Sequence, residues 1–312
     1  MSELREALEE YLATRRALGF ELVKTGRTLH RFVDFVEQEG AEHITRDLAL
    51  RWALQPTTAQ SAWWAQRLGM VRLFARFRSA VDPHTEIPPQ GSIPASYRRK
   101  APYIYSDQEI EELLQAARQL PSATGLRAAT YTTLLGLLAV TGMRMSEVID
   151  LDRNDVDLGE DILLVQRTKF GKSRLVPIHA STHQALADYQ AWRDRIFPQL
   201  KTPSFLVSEH GTRLAKSTVR CTFAELSRQT GLRGPCDRQG PRLHDFRHRF
   251  AVLTLLSWYR TSVDAERNLP MLATYLGHTH VSHTYWYLSA VPELLQWASL
   301  RCEPDRHGGG PP

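Results

Sequence analysis

The stretch ILLVQRTKFGKSRLVPI, from Ile162 to Ile178, is where the hydrophobic pattern of this chain changes from helical to extended. Two β-like runs, 162–168 and 173–178, flank the polar, glycine-containing segment Lys169-Phe-Gly-Lys172. This arrangement predicts a β-hairpin. Because helical periodicity dominates on both sides, the sequence predicts a mainly α fold with a small antiparallel β-sheet.

Towards the N-terminus, residues 1–81 predict a helical domain of four helices. Its clearest apolar stripe has the spacing i, i+3, i+4, i+7 and consists of Leu29, Phe32, Val33 and Val36. The next segment, 82–102, contains five prolines and ends in the basic run Arg98, Arg99 and Lys100. Its composition predicts an extended linker.

A second domain is predicted over 103–302. Ser106 and Glu109 have the spacing of a capping box and mark its first helix. After it, the glycine- and proline-rich residues 303–312 predict a disordered tail.

The composition narrows the class of protein. With 312 residues, 42% of them hydrophobic, the chain is long enough for two cored domains. The net charge of +5 weakly favours a phosphate-bearing partner. We expect no membrane span, because no apolar run reaches transmembrane length, and no signal peptide, because the start is charged. Three cysteines without metal-ligand spacing predict free thiols in a reducing compartment.

Three short motifs carry the chemistry of the second domain. They read GMRMSE with Arg144 and Glu147, HDFRH with His244 and Arg247, and LGH ending at His278, nine residues before Tyr287. Guanidinium groups can grip phosphate oxygens in pairs. A phenol assisted by arginines and a histidine can act as a nucleophile. Together the motifs predict a site that holds and attacks a phosphodiester.

Other interpretations of these residues stay open. His244, Arg247 and His248 share one predicted helix face, which could either grip a phosphate and transfer protons or, through the histidines at i and i+4, bind zinc. His278, His280 and His283 lie close in sequence and raise the same question of a metal site. A metal is disfavoured because Arg247 would lie between the paired histidines and repel a cation. Tyr285 competes with Tyr287 two residues away. Each arginine, taken alone, is more often a solvated or ion-paired side chain than a ligand.

The order of these motifs resembles the tyrosine recombinases, also called the phage integrase family, over most of residues 103–300. The matching segments are TGMRMSE at 141–147, Lys169 with RLVP from Arg174, HDFRH at 244–248, and LGH with Tyr287. Residues 1–81 resemble that family's SAM-like core-binding domain in architecture only. The segment Ser257–Leu269 departs from compact members, being longer and more polar.

The resemblance implies a role for each residue of the motifs. Arg144 and Arg247 would clamp the scissile phosphate, and His244 and His278 would hydrogen-bond to it. Tyr287 would attack, forming a 3′-phosphotyrosyl bond, and His244 is the better candidate to take its proton. Lys169, with Lys172 as its rival, would protonate the leaving 5′ oxygen, and Glu147 would support the pocket. Neither a metal nor another cofactor is needed.

The resemblance also implies the partners. These are double-stranded DNA carrying a specific recombination site and three further copies of the chain, forming a tetramer on two DNA sites in the cytoplasm, at the nucleoid. Pro292–Leu300 could pack on a neighbouring copy. Alternatives are DNA relaxation of the type IB topoisomerase kind and a non-catalytic DNA-binding protein. The candidates for further DNA contacts are Arg67, Arg72, Arg76, Arg78, Arg98, Arg99, Lys100 and Lys172.

Overall fold

The computed structural model describes residues 2–94, 102–166, 173–237, 239–261, 264–278 and 280–290, together with Leu294. The chain divides into two compact units, unit 1 over Met1–Lys100 and unit 2 over Ala101–Pro312. Unit 1 contains the helices α1 (Glu3–Ala17), α2 (Val23–Gln38), α3 (Arg46–Leu54) and α4 (Ser61–Arg78).

The core of unit 1 forms where the predicted stripe of α2 packs on its neighbours. Leu29, Phe32, Val33 and Val36 are all fully buried. The rings of Phe32 and Trp52 meet edge to face at 5.1 Å between centroids. Burial of one such aromatic side chain stabilises a fold by roughly 1.5–3 kcal/mol, so this stripe fixes how α2 and α3 pack within the unit.

Part of the predicted linker also packs within unit 1. Asp82 and Thr85 are buried, and the Thr85 hydroxyl donates to Asp82 at 2.6 Å. The backbone N–H of Glu86 donates to the carbonyl of Ile44 at 2.7 Å. Residues 82–86 are therefore held by hydrogen bonds to unit 1. Arg98, Arg99 and Lys100 lie outside the described residues.

Unit 2 is also mostly helical, and the predicted fold class is confirmed. Its helices are α5 (Asp107–Arg118), α6 (Leu126–Thr141), α7 (Met145–Asp150), α8 (Ala180–Ile196), α9 (Lys216–Gln229), α10 (Leu243–Arg260), α11 (Ala265–Leu276) and α12 (Ser282–Ala290); its strands are β1 (Val156–Asp157), β2 (Ile162–Val165) and β3 (Arg174–Pro177).

The sheet is small and antiparallel, in the order β1-β2-β3. In the predicted hairpin, Ile162 pairs with Pro177 and Val165 with Arg174. This register puts Leu163, Val165 and Val176 into the core. It also starts β3 at Arg174, directly after the hairpin tip, and the tip residues 167–172 lie outside the described residues.

The helices of unit 2 form two apolar clusters that meet along α10. The larger cluster surrounds α6 and includes Phe246 from the first turns of α10. The smaller cluster joins the later turns of α10 to α11 and α12, and it includes Leu255, Leu272 and Tyr287. As a result α10 lies between the motif that ends α6 and the tyrosine of α12. The departing segment Ser257–Leu269 contains the end of α10 and the first turn of α11.

A helix that crosses a membrane must be long and apolar enough to span the bilayer. Across the ranges that the structure describes, no helix combines the length and the apolar character that a membrane span requires.

Candidate active site

Arg144 is placed by a sharp turn between α6 and α7. Helix α6 ends at Gly142, which has φ +61° and ψ +17° in the left-handed region. A Cβ at Gly142 would lie 2.6 Å from Cδ1 of Phe250, so no larger residue fits. The turn puts Arg144 at the N-cap of α7, where about a quarter of its side chain (28%) stays exposed.

Glu147 is a buried carboxylate shared by two guanidinium groups. Nη1 of Arg144 donates to it at 2.6 Å, and Nη2 of Arg174 donates at 2.7 Å. The backbone N–H of Arg144 also donates to it, at 2.9 Å. Burial acts to raise the pKa of Glu147, but Arg174 and Arg144 outweigh it and lower the pKa to about 2. The carboxylate is therefore ionised at neutral pH and holds both arginines.

Gly277 joins the LGH motif to these two arginines. Its carbonyl accepts a hydrogen bond from Nη2 of Arg144 at 3.0 Å. A Cβ at this glycine, which has φ +66°, would lie 3.0 Å from Nη1 of Arg174. A side chain would therefore strain the backbone and crowd the guanidinium, which explains glycine before His278.

Arg247 is the innermost arginine of the site, with only 1% of its surface exposed. Its Nη1 donates to the carbonyl of Gly142 at 3.0 Å, and its Nη2 donates to the carbonyl of Leu276. Burial, followed by the charge of Arg144, lowers the pKa of Arg247 to about 9. The group stays mostly cationic at neutral pH. One side chain thus links the α6–α7 turn, α10 and the LGH motif.

The two histidines of HDFRH stand one turn apart on α10, with ring centroids 4.7 Å apart. Burial is the main reason that the pKa of each falls to about 4, and the charge of Arg247 adds to it for His244. Both imidazoles are therefore neutral at neutral pH. Between them, the buried Asp245 accepts from the backbone N–H of Arg242 at 2.8 Å and pairs with its guanidinium at 2.9 Å.

Tyr287 reaches the site from α12 and is 2% exposed, whereas its neighbour Tyr285 is 49% exposed. The Tyr287 hydroxyl lies 2.9 Å from Nδ1 of His248. The ring of His278 stacks on that of Tyr287 at 6.4 Å between centroids. Nδ1 of His278 is 2.8 Å from the hydroxyl of Thr284, which fixes its ring. Tyr287 therefore lies in the site, and Tyr285 faces outwards.

The structure brings together the residues that the three motifs nominated, while Lys169 and Lys172 lie outside the described residues. The sequence did not reveal two further members. Arg174 stands in the RLVP segment without a predicted role, and His248 shares the predicted face of His244 and Arg247 without a predicted partner. A basic residue directly after the hairpin tip was the available signal for Arg174.

A basic cavity of about 500 Å³ opens beside these groups. His244 lines it, as do five cationic side chains: Arg144, Lys216, Arg220, Arg233 and Arg242. An anionic ligand in this cavity would contact Arg144 and His244 together. A metal ion would instead need a cluster of at least three His, Cys, Asp or Glu side chains. The described part of the chain contains no such cluster.

The candidate arginines of unit 1 that the structure describes belong to α4, and three of the four make contacts within the unit. The guanidinium of Arg67 lies 3.8 Å from the ring centroid of Trp52 and donates to its carbonyl at 2.7 Å. Arg78 pairs with Glu3 at 3.0 Å. Both contacts give these arginines a role in holding the helices of unit 1 together.

The other two arginines of α4 differ in their contacts. Arg72 donates to the carbonyls of Pro88 and Pro89 at 2.8 and 2.9 Å. Arg76 is exposed. Of the four, Arg76 is thus the side chain best placed to meet an external anion.

The chain is similar to known proteins over most of its length. The profile of the phage integrase family matches residues 104–293. A putative integrase/recombinase, y4rB of Sinorhizobium fredii, is 48% identical over 97% of this chain and 98% of its own length. The tyrosine recombinase XerD of Caulobacter vibrioides is 30% identical over 89% of this chain and 84% of its own.

A solved structure shares the fold at low sequence identity. The Tn1549 transposon integrase, in complex with transposon right-end DNA, is 14% identical and has a TM-score of 0.66, over 99% of this chain and 100% of that one. The profile spans more than half of the 312 residues, and the relatives cover nearly the whole chain. The protein therefore belongs to the phage integrase family and is an enzyme of the tyrosine recombinase type.

Proposed function

We propose that this enzyme cuts and rejoins DNA at a specific site through a covalent 3′-phosphotyrosyl intermediate on Tyr287. The observation that carries the proposal is the convergence of three distant motifs through Arg247. Its guanidinium bonds to Gly142 and Leu276, while Tyr287 contacts the neighbouring His248. A single phosphate could thus meet both the arginines and the nucleophile.

The net charge of the arginines, Glu147 and the histidines of the site suits a phosphoryl transition state. Arg144, Arg174 and Arg247 contribute three positive charges, Glu147 contributes one negative charge, and the two histidines of α10 are neutral at pH 7. The sum is plus two. A phosphodiester carries one negative charge and gains a second as the nucleophile adds. Fixed donors aimed at that growing charge accelerate such reactions.

The reaction then needs two transfers of one phosphoryl group. The oxygen of Tyr287 bonds to phosphorus and the bond to the 5′ oxygen breaks, with Arg144, His244, Arg247 and His278 holding the phosphate. We assign the proton for the leaving oxygen to Lys169. The 5′ hydroxyl of a second strand then attacks the phosphotyrosine, which restores the diester and frees Tyr287. The covalent link keeps the bond energy, so no external energy source is required.

The cationic cavity supports duplex DNA as the substrate. Lys216, Arg220, Arg233 and Arg242 line it beside Arg144, where they could meet phosphates that neighbour the scissile one. Arg76 of unit 1 would add a further backbone contact. By analogy with the family, four copies would assemble on two sites, with Pro292–Leu300 docking on a neighbour. Of that segment the structure describes only Leu294.

Covalent trapping tests the proposal and identifies the DNA site in the same experiment. A pool of random-sequence duplexes is incubated with the enzyme and denatured in SDS, and DNA retained on protein is sequenced. The recovered site is then rebuilt as a nicked suicide duplex, on which a cleaved strand cannot be rejoined. We expect a stable adduct with the wild type and with Tyr285→Phe, and none with Tyr287→Phe.

Other outcomes favour the alternative activities. Binding without any adduct would indicate a non-catalytic DNA-binding protein. Adducts spread over unrelated sequences, together with relaxation of supercoiled plasmid, would indicate a type IB topoisomerase activity. An adduct that persists in Tyr287→Phe would refute the assignment of the nucleophile.

A further inference from the structure

His248 lies against the group that would attack the phosphate. Its Nδ1 is 2.9 Å from the hydroxyl of Tyr287, and their ring centroids are 5.4 Å apart. Trp286 covers the imidazole from the same helix as Tyr287, at 5.7 Å between centroids. Only 12% of the His248 side chain is exposed, so the contact is shielded from solvent. A shielded hydrogen bond of this kind fixes the direction of the phenolic O–H.

The surroundings of His248 indicate which ring nitrogen carries the proton. Its Nε2 faces Oδ1 of the buried Asp245 at 3.8 Å. The carboxylate favours a proton on Nε2, which leaves Nδ1 as the acceptor and Tyr287 as the donor. Among the described residues, His244, Arg247 and the N-cap residue Arg242 also act on His248 through their charges. This arrangement is the one in which a histidine can receive a proton from a phenol.

We propose that His248 is a further catalytic residue, whose Nδ1 accepts the phenolic proton as the Tyr287 oxygen bonds to phosphorus. The inference rests on the proposed function. A lone pair of the Tyr287 oxygen forms the new O–P bond as the O–H bond breaks, the P–O5′ bond breaks with its electron pair on the 5′ oxygen, and that oxygen takes a proton from Lys169. In the rejoining step the attacking 5′ hydroxyl gives its proton back to Lys169, and the His248 imidazolium returns its proton to the departing phenolate.

The two histidines of the motif then divide the work. His244 lines the basic cavity with Arg144, where the phosphate would lie. His248 contacts the nucleophile instead. The pKa of His248, lowered to about 4 chiefly by burial, keeps the proton-accepting form populated at neutral pH. Asp245 stabilises the imidazolium that forms during the reaction. The family resemblance assigned the proton to His244, so the proposal changes that assignment.

His248→Asn is the informative variant. Asparagine can place an oxygen near the position of Nδ1 and keep the hydrogen bond from Tyr287, but it cannot hold the transferred proton. We expect the single-turnover rate of adduct formation on the suicide duplex to fall by roughly 100-fold or more. DNA affinity and melting temperature should stay at the wild-type level. The exposed His210, far from the motifs in sequence, supplies the matched control His210→Asn, which should cleave normally.

A second substrate separates activation of the nucleophile from protonation of the leaving group. A 5′-bridging phosphorothiolate has a thiolate leaving group that needs no acid. The defect of His248→Asn should persist on it, and added imidazole should partly restore cleavage by His248→Ala. Two results overturn the proposal: a His248→Asn rate within about threefold of the wild type, or a return to the wild-type rate on the phosphorothiolate. If the wild type itself forms no adduct, the proposed function fails instead.

Discussion

Arginines line a helix in unit 1 and a pocket in unit 2, and they are held in different ways. On α4, Arg67 stacks on Trp52, and Arg78 pairs with Glu3. Each guanidinium has its own local partner. In unit 2, Arg144 and Arg174 share the single carboxylate of Glu147. Arg247 bonds to carbonyls from two other segments.

The difference shows how the same residue type can serve two purposes. Separate partners hold Arg67 and Arg78 within unit 1 and leave Arg76 exposed, which suits a single contact with the backbone of a polyanion. A shared carboxylate and buried carbonyls concentrate charge at one position, which suits a single phosphoryl group. The exposed Arg76 should contribute to DNA affinity, and the concentrated charges of unit 2 should govern the chemical step. Substitutions can test that division.

Arg247→Lys should have the largest effect on cleavage. An ammonium group cannot replace the two directed N–H donors that bond to Gly142 and Leu276. The site therefore loses a positive charge at the position of the guanidinium and the hydrogen bonds that join these two carbonyls. We expect single-turnover adduct formation to fall by roughly 10²–10³-fold, with DNA affinity nearly unchanged. Arg213→Lys is the matched control, since Arg213 also donates to a carbonyl, that of Ile149, outside the pocket. If both variants lose cleavage activity equally, the loss does not depend on the position of Arg247 in the site.

Glu147→Gln should reduce cleavage by about 10–100-fold, because an amide cannot hold two guanidiniums as strongly. The pKa of Glu147 falls from 4.5 to about 2 on folding. Such a depression contributes stability that is present above pH 4.5 and is lost as the pH falls towards 2. At roughly 1.4 kcal/mol per pH unit, the contribution is on the order of 3 kcal/mol.

Urea unfolding at several pH values measures that contribution. The loss of stability between pH 4.5 and 2 should be smaller in Glu147→Gln than in the wild type. Glu111→Gln, which breaks an exposed pair with Arg118, serves as the control and should leave the profile unchanged. A Glu147→Gln profile parallel to that of the wild type would mean that the carboxylate is not a charged anchor.

Arg76→Ala should affect binding alone. Loss of one phosphate contact should lower the slope of log affinity against log salt by about 1 and leave the melting temperature unchanged.

Arg67→Ala should instead leave the salt slope of DNA affinity unchanged. It should lower the free energy of unfolding by about 1–2 kcal/mol, because the stacking and the hydrogen bond of Arg67 are lost. Binding titrations at several salt concentrations and thermal melts distinguish the two. If Arg76→Ala keeps the salt slope of the wild type, Arg76 does not contact the DNA backbone.

EDTA should have the smallest effect, namely none on adduct formation. The proposed chemistry uses guanidiniums where other enzymes use metal ions. Activity that disappears with EDTA and returns with added zinc would revive the zinc interpretation of the histidines.

Local sequence signals predicted much of the fold. The Ser106–Glu109 capping box forms as expected, with the Glu109 carboxylate accepting from the backbone N–H of Ser106 at 2.7 Å. The side chain of Thr45 caps α3 by an equally local rule, and β2 and β3 pair as the predicted hairpin. Strand β1 could not be predicted, because a strand of two residues is too short to show an alternation of apolar and polar side chains. It exists only through pairing with β2.

The site could be predicted as a set of residues but not as a network. Motif spacing nominated Arg144, His244 and Tyr287 without any distance between them. The sharing of Glu147 by Arg174 depends on strand register, and the contact of His248 with Tyr287 depends on how α12 packs on α10. Both are tertiary facts between residues far apart in sequence. No local pattern distinguishes them from a solvated charge or a core histidine.

The most direct measurement of the central claim is the mass of the peptide that carries DNA. The enzyme is trapped on its suicide duplex, digested with nuclease and protease, and the nucleotide-bearing peptide is sequenced by mass spectrometry. We expect a single modified residue, Tyr287, carrying a 3′-linked nucleotide. Attachment at Tyr285, at a serine or at any other residue would contradict it.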